Sequence, residues 1–433
     1  MSVTIIPLGG FGEIGRNSLA LDIDGKILII DLGFHLERYL EVLAKRKTQF
    51  NPSLKLLKKA EVLPDLTRLK GRKRDIVGII CSHAHLDHIG GLQYLANKFS
   101  CKIHATPFTA SVIRSLAEKS NKTTSLEIHP CNSSFNISGI NIDFIPVAHS
   151  TPDAVIIAIH TSAGVIIYAN DFKLDQTPVI GNKTNLDLLK KYSGKVKLLC
   201  MDCLYSSQKG HCESEETTRK ELLSLKLKNY KAIFATSFSS HIARIKTFCD
   251  MAKKLNRKII FAGSSLSRYL ESAKDVKLID LISNNTVLKT KQDIYNFFRR
   301  LRYPEEYFFI VTGHQGEPNS TMMKLIEGGF KFSSQDLVIF SNKIIPSEVC
   351  IQNREYLEKK LSQDKVHQIK DIHVSGHLFQ EDHKKVVSVL KPEYLWPSHG
   401  EPLMMENMKD VFLKEGFKRE KILMLKTGDK FNL

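Results

Sequence analysis

The chain has 433 residues, 42% of them hydrophobic and 25% charged, a balance that excludes a disordered polypeptide and suffices for two or three domains. Lys and Arg number 63 against 46 Asp and Glu; the formal charge of +17 favours anionic partners, phosphate polymers or acidic membranes, without choosing between them. Eight scattered cysteines exclude a dense secreted disulfide scaffold and suggest a reducing compartment. The single C-x-x-C, Cys200 to Cys203, lacks a second pair and is assigned no function. No signal-peptide pattern opens the sequence and no stretch reaches the about 18 apolar residues of a membrane span, so a cytoplasmic protein without membrane partners is expected.

Through about residue 205, alternation and apolar runs predict short strands with a few helices. Val3–Leu8, Ser18–Ile23 and Lys26–Asp31 read as an opening meander turning at Asp24-Gly25. Ile76–Cys81 reads as a buried strand and Ile89–Phe99 as a helix. Two hairpins follow, Phe135–Ile145 broken at Ser138-Gly139, and Ala154–Ala169 broken at Ser162-Ala163-Gly164. So many strands imply sheet packed on sheet. From about Ser206 the texture changes to helices alternating with apolar strands: Glu213–Leu227, Ala232–Ala235, Ile242–Leu255, Lys258–Ala262 and Phe309–Thr312. That rhythm predicts a parallel α/β unit. Shorter elements return in the last stretch, with Leu337–Phe340, Val366–Val374, a helix over Phe379–Leu390, Tyr394–Trp396, and a closing pair of strands around Ile422–Leu425 and Lys430–Asn432.

The chemistry is announced by Ser82-His83-Ala84-His85-Leu86-Asp87-His88-Ile89-Gly90-Gly91, directly after the strand Ile76–Cys81. If that strand runs on to His85, His83 and His85 point to one face, because side chains alternate with period two. The chain must then turn, delivering Asp87 and His88, with Gly90-Gly91 permitting close backbone approach. Imidazole nitrogen mixed with carboxylate oxygen suits zinc better than magnesium or calcium. His149 and Asp171 end the apolar runs IDFIPVAHS and VIIYANDF, where functional groups are presented; Asp31, ending ILIIDLG, has the same placement and is expected to orient a ligating histidine.

In this order, D-x-G, H-x-H-x-D-H, a later His and a later Asp resemble the metallo-β-lactamase superfamily. The resemblance implies an αββα sandwich with metals at its rim. It further implies that His83, His85 and His149 hold one zinc, that Asp87 and His88 hold a second, and that Asp171 bridges them, two Zn2+ per chain. Three later features, Asp202 after VKLLCM, His377 in HVSGHLF and His399 in WPSHGEP, resemble the β-CASP nuclease branch, which inserts an α/β domain into the lactamase fold. Within it, LGGFGEIGRN, TGHQGEP, HVSGH and PSHGEP look most like the ribonuclease J family, its shorter archaeal type. The expected organisation is therefore a lactamase domain over 1–205 and 346–433, interrupted by a β-CASP domain over 206–345.

The resemblance brings His399 to the second metal. In HVSGH, His373, Ser375 and His377 recur at period two, so all three are expected to face one phosphate. Asp202 beside His377 would raise its affinity for a proton, making a general acid for the leaving oxygen. Two ions clamping an in-line displacement suit a phosphodiester, with Asp87 and Asp171 orienting the nucleophile. His314 stands where the family more commonly has serine, which unsettles one phosphate or RNA contact. LGGFGEIGRN lacks the Gly-Lys-Ser/Thr ending of a P-loop and is rejected as one. The basic runs Lys70–Arg74 and Phe298–Arg302 are candidate tracks for single-stranded RNA. The leading expectation is a zinc-dependent 5′-to-3′ exoribonuclease favouring 5′-monophosphate single-stranded RNA, with an endonucleolytic activity and a homodimer left open. The competing readings are an RNA endonuclease of the cleavage-and-polyadenylation type, a crosslink-repair DNA nuclease, a small-molecule hydrolase and a metal-less RNA-binding scaffold.

Overall fold

The computed structural model describes residues 2–44, 52–118, 125–345 and 348–433. Two compact units emerge: the first comprises Met1–Gln176, Gly181–Cys212 and Ser375–Leu433, the second Thr177–Ile180 and Glu213–Val374.

The first unit holds two sheets. One runs in the order Phe431–Asn432, Val3–Gly9, Ser18–Ile23, Lys26–Ile30, Ile76–Ile80, Lys102–Ala105, Leu126–Ile128. The other runs Tyr394–Ser398, Val196–Asp202, Gly164–Ala169, Val155–Thr161, Ile140–Pro146, Ser133–Ile137. Alternation supplies an apolar face to each, and the faces meet: Leu19, Leu21, Leu28, Ile30 and Ile80 of one pack in a single buried cluster with Ile142, Phe144, Ile157, Ile166 and Leu198 of the other. On the outer face of the second sheet, Ile156, Ile167 and Leu199 pack against Val386, Leu390, Met408 and Phe412 from the helices Gln380–Leu390 and Pro402–Lys414. Helices cover the other sheet as well, among them Pro107–Glu118 with Phe108, Val112 and Ile113 buried. The result is the expected αββα sandwich.

The second unit is one six-stranded sheet in the order Thr286–Leu288, Lys258–Ala262, Tyr307–Val311, Ile233–Thr236, Leu337–Phe340, His367–Ile369. Every pairing is parallel, so each strand is an unbroken apolar run between helices. Its far boundary lies well beyond the expected residue 345. The helix Glu348–Gln363 buries Leu357 and Leu361 in this unit's core, and His367–Ile369 adds a strand to its sheet. Residue 346, where the second part of the lactamase domain was expected to begin, lies outside the described residues. Among the described residues, no helix is long and apolar enough to cross a membrane.

Four local expectations fail for physical reasons. The strand Ile76–Ile80 ends before His83, and the single helix expected over Ile89–Phe99 is broken into Leu86–Ile89, Leu92–Leu95 and a 3-10 turn, with Gly90-Gly91 at the break. Residues 371–379 form no strand, so period two does not govern HVSGH. The closing segments do not pair with each other: Phe431–Asn432 joins Val3–Gly9, while Ile422 bridges to Leu395 in the other sheet.

One knot of backbone fixes the rim. Asn17 N–H donates to Asp87 O (2.9 Å), Leu32 N–H to His88 O (2.8 Å), Phe34 N–H to Leu86 O (3.0 Å) and Gly33 N–H to Asn17 O (3.0 Å). Three loops distant in sequence are thereby laced together, and Gly33 sits at their crossing. A Cβ there would lie 1.6 Å from the Asp87 carbonyl oxygen. Gly33→Ala is therefore expected to lower stability by about 3 kcal/mol or more. Gly25→Ala, whose Cβ meets nothing within 4 Å at φ +86°, should cost only about 1 kcal/mol. Urea denaturation of the two variants measures the difference.

Candidate active site

The parallel strands explain where the side chains gather. Gly164–Ala169, Val196–Asp202 and Tyr394–Ser398 are parallel neighbours in register, with Asp202 opposite Ser398. Their carboxyl ends place Asp171, Asp202 and His399 side by side, as open parallel sheets do with functional groups. In the facing sheet Lys26–Ile30 and Ile76–Ile80 are also parallel, and Asp31 N–H donates to Ile80 O (2.8 Å). Asp31 and the His83–His88 segment thus arrive at the same rim. Lys173 N–H donating to Ala148 O (3.0 Å) ties the Asp171 loop to His149.

Two groups of ligand atoms result. In the first, His83 Nε2 lies 3.1 Å from His85 Nδ1, His85 Nδ1 3.2 Å from His149 Nε2, and Asp171 Oδ2 3.6 Å from His83 Nε2. The second contains Asp87, His88, Asp171 and His399, with Asp171 Oδ2 3.3 Å from His88 Nε2 and 4.0 Å separating His399 Nε2 from Asp171 Oδ1. Asp171 belongs to both. Its Oδ1 is buried and has no hydrogen-bond partner in the protein, a costly state for a carboxylate unless a cation satisfies it.

The far nitrogens of two of these rings are already committed. His149 Nδ1–H donates to Gly376 O (2.9 Å) and His88 Nδ1–H to Asp31 Oδ2 (2.7 Å), which turns each Nε2 lone pair toward the cluster. Asp31 is itself held by Ser82 N–H (2.8 Å), Ser82 Oγ–H (2.7 Å) and Tyr168 Oη–H (3.1 Å). Burial and the neighbouring rings keep His83 and His85 neutral, well below the usual histidine range, and burial takes His149 down to about 3. Burial opposes a charge on His88 too, but Asp171, Asp87 and Asp31 outweigh it and push that ring up. Neutral imidazoles beside ionised carboxylates form a donor set that fits a divalent metal, and three imidazoles with one carboxylate fit zinc.

A third group, His104, Glu127 and His129, also meets a distance criterion for metal binding. Its geometry differs. The two rings lie within 15° of one plane, with centroids 5.3 Å and facing nitrogens 3.0 Å apart, so the nitrogens point straight at each other. That is an N–H···N hydrogen bond, capped by Phe135 stacked 3.6 Å from His129. In the first group the ring centroids are only 4.8 Å apart at a similar N···N distance, and the rings stand nearly perpendicular, so their lone pairs converge.

His377 completes the site. Its ring stacks on His399 (5.7 Å, 6°) and meets the edge of His149 (5.5 Å). Its Nδ1 lies 3.7 Å from Asp202 Oδ2, beyond hydrogen-bond length and within ion-pair reach, and neither atom has another partner. Burial opposes a charged ring here, but Asp171, Asp202 and Asp87 raise His377 to about 9. Ser375 Oγ accepts from His377 N–H (3.0 Å). His373 lies in the second unit instead, its Nδ1 buried without a partner; burial and the charges of Arg244 and His241 hold it down to about 2. His314 is buried edge-on against Phe238 (4.3 Å), its carbonyl accepting from Arg354 (2.7 Å).

Sequence reasoning missed three supporting groups. Ser82 and Tyr168 hold Asp31. Asp382 accepts from Phe379 N–H (3.1 Å) and Cys212 N–H (2.8 Å), fixing the chain that carries His377. Asn17 lies within hydrogen-bond distance of His88 and His399. Only Asp382 had a readable signal, an acid in the first turn of a helix able to cap its N-terminus; the rest depend on approach between distant segments.

Comparison with known proteins agrees along the whole chain. The metallo-beta-lactamase superfamily matches residues 11–174, the beta-CASP domain of ribonuclease J matches 230–354, and a Zn-dependent metallo-hydrolase RNA specificity domain matches 364–423. Ribonuclease J of Methanocaldococcus jannaschii is 33% identical over 448 residues, covering 99% of this chain and 98% of its own. That of Pyrococcus abyssi is 32% identical, covering 96% and 93%. Ribonuclease J2 of Bacillus subtilis is 28% identical, with 74% of its length covered. A solved structure of a protein of unknown function from Enterococcus faecalis V583 shares the fold, with a TM-score of 0.66 at 17% identity over 100% of both chains. With all three segments in order and relatives matched nearly end to end, this chain belongs to the ribonuclease J family of metallo-β-lactamase hydrolases.

Proposed function

We propose that this chain is a two-zinc ribonuclease that hydrolyses phosphodiester bonds of single-stranded RNA, acting 5′ to 3′ from 5′-monophosphate ends. The observation that carries the reading is the position of His377. A ring that keeps its proton at neutral pH rests against His149 of one ligand group and His399 of the other, with Asp202 behind it. That arrangement serves proton delivery to a leaving oxygen and has no evident purpose in a merely structural metal site.

One ion would be held by His83, His85, His149 and Asp171, the other by Asp87, His88, Asp171 and His399. Ions held there supply Lewis acidity, acidifying a water and neutralising charge on the phosphoryl oxygens. Asp87 and Asp171 orient the attacking water, Asp31 keeps His88 in the tautomer that presents Nε2, and His377 delivers its Nε2 proton to the departing 3′ oxygen. Asp202 positions His377 and favours its charged form. Ser375 and His377 would face the scissile phosphate, with His373 a further candidate contact to RNA.

Exposed basic residues support an RNA substrate. Lys70, Lys73 and Arg74 are exposed, while Arg72 is spent on Asp22 and Asp75. Arg300 and Arg302 line an open pocket of about 650 Å³ with Phe297, Tyr303 and Tyr307, and Tyr303 is 60% exposed. Guanidinium groups beside an aromatic floor suit a backbone phosphate and a stacked base.

Three outcomes test this function. His83→Ala or Asp87→Ala, or exhaustive chelation, should abolish hydrolysis of end-labelled RNA while circular dichroism stays native; activity surviving all three treatments would refute metal dependence. His377→Gln should lower kcat on RNA by about 10²–10⁴-fold yet spare a p-nitrophenyl phosphodiester, whose leaving group needs no proton; equal losses on both substrates would remove His377 as the acid. Each of Arg300→Ser and Arg302→Ser should flatten the log–log salt dependence of single-stranded RNA binding by about 0.7. Release of single nucleotides from 5′-monophosphate RNA alone is the expected product pattern, and internal cuts in 5′-triphosphate RNA would make the enzyme an endonuclease.

A further inference from the structure

The loop Gly9–Asn17, which resembles a nucleotide-binding loop and is not one, ends in a side chain placed where an extra metal ligand belongs. Asn17 is buried. The terminal Nδ2 of its carboxamide lies 2.9 Å from His88 Nε2, 2.8 Å from His399 Nδ1 and 3.3 Å from Asp87 Oδ2. Ligands sharing a zinc at about 2.0–2.1 Å in tetrahedral geometry are separated by about 3.3 Å. Within the first ligand group the neighbouring separations are 3.1 and 3.2 Å. The Asn17 amide therefore keeps co-ligand distances to three members of the second group.

An ordinary hydrogen-bonding role accounts for the amide only while the site holds no cation. His88 Nδ1–H is committed to Asp31, so Nε2 offers a lone pair that an Asn17 N–H can use. A cation bound to that lone pair removes the acceptor and leaves the N–H facing positive charge. Rotation of the carboxamide by half a turn exchanges Nδ2 for Oδ1, two atoms of equal size, and converts the repulsion into coordination. Space for the group exists because residue 10 is glycine: a Cβ there would lie 2.4 Å from Asn17 Oδ1. The backbone is held in advance, with Asn17 N–H donating to Asp87 O, Gly33 N–H donating to Asn17 O, and Arg16 braced by Glu13 and by the Leu63 carbonyl.

We infer that Asn17 Oδ1 is a ligand of the second metal, giving that position two imidazoles and three oxygens and making it the harder of the two sites, receptive to Mn2+ as well as Zn2+. Oxygen-rich sets accept manganese and magnesium more readily than imidazole-rich ones. The first site, with three imidazoles and one carboxylate, stays zinc-selective. The inference rests on the two-metal reading above and adds a ligand and a metal preference to it.

The test is titration of the metal-stripped full chain with Mn2+, read as free Mn2+ by electron paramagnetic resonance, with the first site filled beforehand by one equivalent of Zn2+. Wild type should take up one Mn2+. Asn17→Ala and the near-isosteric Asn17→Leu should bind it at least about tenfold more weakly, with retention of the first Zn2+ unchanged, and Asn17→Asp should restore uptake. Superimposable Mn2+ isotherms for wild type and either apolar variant, both folded by circular dichroism, would overturn the assignment of Asn17. Wild type that takes up no second ion would overturn the two-metal reading itself, and the inference with it, so the two failures are distinguishable.

Discussion

Everything at the rim depends on one buried carboxylate. Asp31 is fully buried, held in the left-handed region at φ +56°, and accepts four hydrogen bonds: two from Ser82, one from Tyr168 and one from His88. Ser82 follows a strand of its own sheet; Tyr168 belongs to the facing sheet. A single charge thus ties the two layers together at the edge where they carry the chemistry and fixes the tautomer of a ligand. A charge so deeply buried persists only because every lone pair has a donor. The other unpaired charges gather around it for a functional reason: Asp171 and Asp202 each keep a buried oxygen without a protein donor.

The two halves of the site differ in how they are built. His83, His85 and His149 come from a loop and a strand end of opposite sheets and remain neutral. The second group is richer in carboxylate, and the ring of His88 lies under three of them. Placing His377 across both groups lets one proton be held near the shared Asp171, with burial and carboxylates in opposition. A neutral environment of this size would have released that proton.

Much of this was legible in the sequence, and the failures follow a rule. Asp31, His83, His85, Asp87, His88, His149, Asp171, Asp202 and His399 all end or closely follow apolar runs, and parallel strands bring such ends to one side of a sheet; the structure gathers all nine at one rim. Where periodicity was extended past the end of an element it misled. His83 and His85 converge although their strand has stopped at Ile80, because the convergence is imposed by the laced loops. His373, Ser375 and His377 do not lie on a strand, and His373 belongs to another unit than its neighbours. Asn17, Ser82 and Tyr168 carry no local signal, since their roles exist only once segments about 70 and 140 residues away have arrived.

The order of arrival has a kinetic meaning. The strand Tyr394–Ser398 pairs with Val196–Asp202, and Phe431–Asn432 with Val3–Gly9, so two sheets of the first unit are completed by the final stretch of chain. The second unit, apart from Thr177–Ile180, is one continuous segment, Glu213–Val374. Contacts of large sequence separation form slowly because loop closure comes before their reward. Synthesis from the amino end therefore presents a nearly complete second unit while the sandwich still lacks its edge strands, and the hydrolytic centre is the last part of the molecule to assemble. A chain still emerging from the ribosome, with its own message threaded beside it, does not yet hold His399.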